Sequence, residues 1–286
     1  MNVNFWLVQA FNGISYGALL FLVGSGLSLI FGVMRIVNLS HGSYFLLGGY
    51  VALSVIWTTG SWVLSIPVAS LAIGAVGLVM ERFFLRPLGF DPLRQVLLTV
   101  GFAFLFQQAA LDIWSGNNFD INPPAMLTQS IVVGGVYLPL YRAFMIAIAA
   151  VVGLILWLAM EKTRIGAAVR ATVDDAEMAR GVGIDTSRIS MFIFALGAFL
   201  AAMGGVIGGA FLGVYPGLDF EMLPLAFAVV IIGGMGSLGG AAIGALLVGL
   251  ADNFGKALFP EVSYFTLYAP MALILAIKPT GLFGRE

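Results

Sequence analysis

A single histidine, His41, is the first residue whose chemistry suggests a reaction. Paired with a nearby serine it could supply the base for an intramembrane hydrolase; the candidate nucleophiles are Ser25, Ser40 and Ser43. No second catalytic signal accompanies the pair, and a histidine beside Asn38 and Gly42 is typical of a hydrogen-bonded helix boundary or a cavity lining. The sequence therefore favours a structural or pathway role for His41.

Residues 234–239 read G-M-G-S-L-G, which matches the dinucleotide-binding pattern G-x-G-x-x-G, with Asp252 at a suitable distance downstream. That pattern binds a cofactor only between a strand and a helix of a soluble sheet. Here apolar runs flank the glycines on both sides. We therefore expect no nucleotide cofactor at this site.

The remaining chemistry is limited by composition. The chain has 1 His and 0 Cys, so neither a protein-ligated zinc site nor a disulfide is expected. Its 13 Lys and Arg are balanced by 14 Asp and Glu, which leaves no basic field for nucleic acid. Asp252 and Lys256 are spaced to form an ion pair along one helix. We predict no catalytic residue and no metal.

The longest charged segment, residues 161–188, carries a pattern suited to docking. Residues 167–183 read as one short amphipathic helix, which Gly181 and Gly183 bring to an end. Its apolar positions are Ala171, Met178, Ala179 and Val182, and its polar positions include Arg170, Asp174, Asp175, Glu177 and Arg180. A helix of this kind fits a groove on a partner protein.

The rest of the 286-residue chain is strongly apolar. Hydrophobic residues make up 60% and charged residues only 9%, against about 25% charged residues in a soluble domain. The apolar runs exceed or approach the ~20 residues that cross a bilayer as a helix. We predict an all-α, multi-pass transmembrane bundle of eight or nine segments within a single transmembrane domain, residues 1–286. The segments are 7–33, 36–57, 62–80, 95–111, 143–160, 190–213, 241–258, 264–277 and, as a shorter ninth candidate, 222–234.

Basic residues set the expected orientation. Arginines and lysines concentrate in loops 81–94 and 161–188, whereas residues 112–141 contain none. Because cytoplasmic loops carry the excess of Lys and Arg, both basic loops are expected inside. The N-terminus is then outside and the C-terminus inside.

Glycine patterns predict close helix packing and two breaks. Small residues at four-residue spacing let helices approach closely in lipid; they include Gly13 and Gly17, Gly205, Gly209 and Gly213, and Gly240 and Gly244. The charge-free run at 222–251 is too long for one membrane-spanning helix, and we expect the glycines between positions 233 and 240 to interrupt it. A polar stretch at 35–49 interrupts the first half. Irregular backbone at membrane depth indicates a translocation path; the candidate path residues are Asn38, Ser40, His41, Gly42, Gly233, Gly234, Gly236, Ser237, Gly239 and Gly240.

Several of these stretches resemble known sequences. Asp175-Ala176-Glu177, followed by Gly181, is similar to the cytoplasmic loop motif by which ABC importer permeases contact their ATPases, although Glu177 stands where that motif has a second alanine. The sequences NLSHG at 38–42, RATVDDAEMARGVGI at 170–184 and VIIGGMGSLGGAAIG at 230–244 resemble the H-type permeases of branched-chain amino acid importers. The likeness covers nearly the whole chain.

The resemblance implies a bacterial inner-membrane subunit of an ATP-driven importer. It implies as partners a homologous M-type permease, two ATP-binding subunits and a periplasmic binding protein that delivers a small amino acid. The expected ATPase contacts are Arg170, Asp174, Asp175, Ala176, Glu177, Arg180 and Gly181. Importers of urea and short-chain amides use similar permeases, and an ion-coupled carrier is a further alternative, although few ionisable groups lie within the spans.

Overall fold

The computed structural model describes residues 3–89, 91–133 and 135–284. It confirms the predicted all-α class. The predicted orientation concerns the two chain termini, and the terminal residues 1–2 and 285–286 lie outside the described residues. The helices are α1 (Val3–Met34), α2 (His41–Thr59), α3 (Trp62–Met80), α4 (Pro92–Trp114), α5 (Leu140–Lys162), α6 (Arg164–Asp174), α7 (Ala176–Gly181), α8 (Thr186–Leu212), α9 (Leu218–Gly233), α10 (Leu238–Leu258) and α11 (Ser263–Ile277).

All nine predicted apolar segments form helices, but fewer of them can span a bilayer alone. Within the described residues, 6 helices have the necessary length and apolarity: α1, α3 with its extension to Leu88, α4, α5, α8 and α10. By this criterion of length and apolarity, the count of six is somewhat lower than the eight or nine segments expected. Helices α9 and α11 contain only 16 and 15 residues, and α2 begins at His41 with several polar side chains.

Helix α1 lies at the centre of the bundle. In its most apolar window 78% of the residues are buried, compared with 17% for α5 at the periphery. A Cβ atom added to Gly17 would lie 2.7 Å from the Ala245 carbonyl oxygen of α10. One added to Gly26 would lie 2.7 Å from the carbonyl oxygen of Gly197 in α8. The predicted close packing of helices at small residues is confirmed.

Helices α2 and α8 form the second tight interface. Gly205 of α8 packs against the backbone carbonyl of Phe45, and Gly48 of α2 packs against the backbone of Ala202. Gly213 was expected on the same helix face as Gly205 but does not pack there. It follows the last residue of α8 and has a left-handed φ of +81°. The side chains buried around this interface include Tyr44, Phe45, Tyr50 and Phe194.

The segment between α4 and α5 contains the only strands in the described residues. Strand β1 (Ser130–Val133) pairs antiparallel with β2 (Val136–Pro139), with Ser130 opposite Pro139. Earlier in the segment, Phe119 forms a β-bridge with Val214, which follows α8. These contacts place the segment at the end of the bundle where α2 and α8 terminate.

Candidate functional site

The first predicted interruption lies deep within the bundle. Helix α1 ends at Met34, residues 35–40 are non-helical, and Arg35 has a φ of 54°. The His41 ring contacts the Val23 carbonyl oxygen through Nε2 at 3.0 Å. The segment from Val23 to Met34 corresponds to about 16 Å of helix at ~1.5 Å per residue. Helix α2 therefore starts well inside the length of α1.

Polar atoms in this interruption bond mainly to one another. The Asn38 side-chain oxygen accepts from the Ser40 N–H at 3.1 Å and from the Ser40 hydroxyl at 2.7 Å. The Leu39 N–H donates to the Thr99 hydroxyl of α4 at 3.2 Å. Asn38, Ser40 and His41 are each 0% exposed, and Asn38 Nδ2 and His41 Nδ1 have no hydrogen-bond partner among the described residues.

The three candidate serines do not meet the histidine. Ser25 donates to the Leu22 carbonyl at 3.1 Å, Ser40 to the Asn38 side chain, and Ser43 to a carboxylate of α9. The contact of His41 is a backbone carbonyl instead of a serine hydroxyl. The geometry therefore gives no support to a serine hydrolase.

The carboxylate that binds Ser43 belongs to Asp219, a residue that sequence reasoning missed. The Ser43 hydroxyl donates to Asp219 Oδ2 at 3.2 Å, and Gly42 packs against the Asp219 backbone carbonyl. Asp219 is only 2% exposed, and within the described part of the chain its Oδ1 has no hydrogen-bond partner. The first turns of α2 and α9 therefore meet at a buried acidic side chain. The sequence signal that could have identified Asp219 is the position of a carboxylate close to an apolar run.

The second interruption, residues 234–237, separates α9 from α10 as predicted. Gly234 has a φ of +102° and Gly236 a φ of +79°. Ser237 accepts a hydrogen bond from the Gly240 N–H at 3.0 Å, so its side chain caps α10. Gly233, Gly234 and Gly240 are buried, whereas Gly236 and Gly239 are exposed and Ser237 is half-buried. Helices lie on both sides of the fingerprint, so the fold lacks the context of a dinucleotide site.

The C-terminal segment covers this break. The N–H groups of Leu282 and Phe283 donate to the carbonyl oxygens of Ile232 and Gly233, each at 3.0 Å. They satisfy acceptors that the end of a helix leaves without intrahelical partners. No sequence pattern predicted this contact.

The predicted path residues form two groups instead of one. The group at 38–42 contacts the beginning of α9, and the group at 233–240 begins where α9 ends. Helix α9 has 16 residues and is about 24 Å long at ~1.5 Å per residue. One helix therefore connects the two interruptions.

Glycines in the left-handed region flank α9 at both ends. Gly213 and Gly217 precede the helix with φ values of +81° and +97°, and Gly234 and Gly236 follow it. Tyr215 lies between Gly213 and Gly217, and its hydroxyl donates to the Glu221 carboxylate at 2.8 Å. Burial and this carboxylate raise the pKa of Tyr215 to about 12, so the phenol remains a donor at neutral pH.

Two glycines of the break provide a matched test of its geometry. We expect Gly236→Ala to destabilise the protein by about 1–3 kcal/mol, because alanine is strained at positive φ and would press on Gly32. Gly239→Ala should be nearly neutral, since nothing lies within 4 Å of the added methyl group. Thermal unfolding in detergent measures both. Equal stability of the two variants would contradict this description of the break.

The predicted docking helix is two helices, α6 and α7, instead of one. Asp175 between them is extended, with φ −154° and ψ 103°. Its Oδ1 accepts from the N–H groups of Glu177 and Met178, each at 2.9 Å. The single-helix prediction was wrong because an aspartate side chain can cap a new helix by taking backbone donors.

Helix α7 and the residue that follows it present apolar side chains outward. Met178 of α7 and Val182, at its C-cap, are 66% and 71% exposed, whereas Ala179 is buried. Of the remaining predicted docking residues, Asp174, Asp175, Glu177, Arg180 and Gly181 are exposed and Ala176 is half-buried. Arg170 turns back, donating to the Met160 carbonyl and lying 3.9 Å from the Glu161 carboxylate.

A glycine turn attaches α7 to α8. The N–H of Gly183 donates to the Arg180 carbonyl and that of Ile184 to the Ala179 carbonyl, each at 3.0 Å. Gly183 has a φ of +90°. This pair of hydrogen bonds, with a left-handed glycine, is the Schellman motif that ends helices. The stop signal assigned to Gly183 is confirmed, while Gly181 is the last residue of α7.

Within α10, Asp252 and Lys256 form the predicted ion pair, with 2.8 Å between Nζ and Oδ2. The Asp252 side chain is 10% exposed. This pairing accounts for a carboxylate near the end of a membrane helix. No group of three or more His, Cys, Asp or Glu that could hold a metal ion occurs among the described residues.

Comparison with known proteins identifies the family of the chain. Residues 9–275 match the family described as "Branched-chain amino acid transport system / permease component". The chain belongs to this family. The permease is 31% identical over 302 residues to the LivH permease protein of Salmonella typhimurium, covering 98% of this chain and 96% of the relative.

Two other relatives broaden the comparison. The permease is 29% identical over 297 residues to BraD of Pseudomonas aeruginosa, covering 98% of this chain and 96% of the relative. It is 26% identical over 288 residues to LivM of Escherichia coli, covering 91% of this chain and 67% of the relative. The family consists of membrane subunits of transport systems, so the permease is a multi-pass membrane protein and not an enzyme.

Proposed function

We propose that the permease is the H-type membrane subunit of an ATP-driven ABC importer that carries branched-chain amino acids across a bacterial inner membrane. The relatives LivH and BraD, each named as a high-affinity branched-chain amino acid permease, support this substrate class. The observation that carries the energy coupling is α7, a short helix outside the spans, where the side chains of Met178 and of the C-cap residue Val182 are exposed. Soluble partners bind such apolar faces.

The assembly in this proposal contains four kinds of subunit. An M-type permease pairs with this chain, and the similarity to LivM supports a pair of related folds. Two ATP-binding subunits dock on the loop at 161–188, and a periplasmic binding protein delivers the amino acid on the opposite side. In this proposal α2, α9 and α11 also lead the chain from one side of the membrane to the other, so that the basic loops lie in the cytoplasm, with the N-terminus outside and the C-terminus inside. Residues 1–286 act as one permease domain.

The translocation path in this proposal follows α9. An apolar groove of about 310 Å³ lies between α1 and α9, lined by residues that include Leu27, Phe31, Phe227 and Met235. It ends beside the break, where Gly236 and Gly239 expose backbone groups. Aliphatic side chains suit the groove, and backbone N–H and C=O groups suit an amino acid's charged ends. Asn38, Ser40, His41 and Gly42 are buried, so in this proposal they close the path where α2 meets the beginning of α9.

Purification of the tagged chain from its native membrane in mild detergent tests this proposal. Mass spectrometry should find a second permease and two ATP-binding subunits in stoichiometric amounts. Recovery of the intact chain alone would favour an ion-coupled carrier. If the assembly is recovered, binding of leucine, urea and acetamide by its binding protein distinguishes the amino acid from the amide importers.

A further inference from the structure

A buried ion pair lies just beyond α3, where the first charged residues follow its apolar run. Arg86 donates to the Glu81 carboxylate through Nε at 3.4 Å and through Nη2 at 3.1 Å. The Glu81 side chain is only 3% exposed and that of Arg86 34%. Two donors of one guanidinium on two carboxylate oxygens form a fork that fixes orientation as well as distance.

An unusual turn of backbone makes this pair possible. Residues Glu81–Leu85 form a π-helix, and the Arg86 N–H donates to the Glu81 carbonyl. On an α-helix, residues three and four apart share a face, whereas residues five apart do not. The wider π-turn brings positions 81 and 86 together. Such π-turns occur frequently at functional sites.

The same arginine binds a second helix. Arg86 Nη2 donates to the Ser187 carbonyl at 3.0 Å, in the first turn of α8. Asp185 caps α8 by accepting a hydrogen bond from the Arg188 N–H. This residue lies between the glycine turn that ends α7 and the first turn of α8. A continuous series of hydrogen bonds therefore joins α7, the start of α8 and the end of α3.

We propose that Glu81, Arg86 and the Ser187 carbonyl form a clamp that transmits displacement of α7 to α3 during transport. This inference rests on the proposed function, because α7 moves only if ATPases dock on it. Helix α8 packs along α3 and α1, so the start of α8 receives the motion and the clamp obliges α3 to follow. Glu81 and Arg86 act as positioning residues and contact no solute.

The structural part of the clamp can be tested on the purified permease alone. The chain has 0 Cys, so spin labels at Phe83→Cys and Arg188→Cys report the distance between the end of α3 and the start of α8. Double electron–electron resonance should give one narrow distribution of distances between the two labels, and Glu81→Gln and Arg86→Lys should each broaden it. Asp91→Asn is the control, because it removes the exposed Asp91–Arg94 pair and retains a helix cap. Unchanged distributions in both clamp variants would overturn the proposal.

The coupling part needs the assembled importer in liposomes. We expect Glu81→Gln and Arg86→Lys to retain bound ATPase subunits and ATP hydrolysis, with about tenfold less amino acid moved per ATP hydrolysed. Wild-type transport per ATP in both variants would overturn the clamp while leaving the importer intact. Failure of the wild-type chain to bind any ATPase would instead overturn the proposed function.

Discussion

Met178→Glu should abolish ATP-driven uptake while leaving the membrane bundle folded. Met178 of α7 is 66% exposed, and Val182, at the C-cap of α7, is 71% exposed; together they form an apolar surface. Burying a methionine side chain contributes about 2 kcal/mol, and a glutamate would also have to be desolvated in the partner's groove. The loss corresponds to a roughly 30-fold weaker association. Retention of ATPase subunits on the tagged chain measures docking, and uptake into liposomes measures transport.

Met126→Glu provides the matched control for that substitution. Met126 is 79% exposed and lies between α4 and α5, in the segment opposite the predicted cytoplasmic loops. The same change of side chain should leave ATPase binding at the wild-type level. Equal retention of the ATPases by both variants would contradict the assignment of α7 as the docking helix.

Gly205→Leu should prevent the bundle from folding stably. A side chain at Gly205 would enter the backbone of α2 at Phe45 and Gly49, where neither helix has a flexible group that can move aside. We expect a loss of about 3 kcal/mol or more, because overpacking of this kind displaces whole helices. The melting temperature of the detergent-solubilised protein should fall sharply, or the protein should aggregate during purification.

Gly101→Leu tests whether that effect comes from packing and not from loss of a glycine. Gly101 lies in α4, is exposed, and has nothing within 4 Å of an added Cβ. Leucine has a higher helix propensity than glycine, so this variant should be neutral or stabilised by up to about 1 kcal/mol. Destabilisation equal to that of Gly205→Leu would contradict the close approach of α2 and α8.

Long apolar runs and glycine positions made most of the helices predictable from the sequence. Local spacing, which a sequence displays directly, determines three of the confirmed features. They are the break after Gly233, the end of a helix at Gly183 and the Asp252–Lys256 pair. The division between α6 and α7 could also have been found locally, since Asp175 precedes two backbone donors that it binds.

Contacts between distant parts of the chain could not be predicted in this way. Ser43 and Asp219 are 176 residues apart, and Arg86 and Ser187 are 101 residues apart. Nothing in the local pattern of either residue specifies its partner. The position of the two interruptions at opposite ends of α9 likewise follows from how the helices pack, as does the cover that Leu282 and Phe283 provide for the break.

ATP-dependent uptake of labelled leucine by liposomes containing the purified assembly tests the central claim most directly. The binding protein is supplied outside and ATP is trapped within, at the face of the basic loops. We expect leucine to accumulate above its external concentration only with ATP, and not with a hydrolysis-deficient ATPase subunit. Equal accumulation without ATP, driven by an ion gradient, would contradict the account of this permease as an ATP-driven importer subunit.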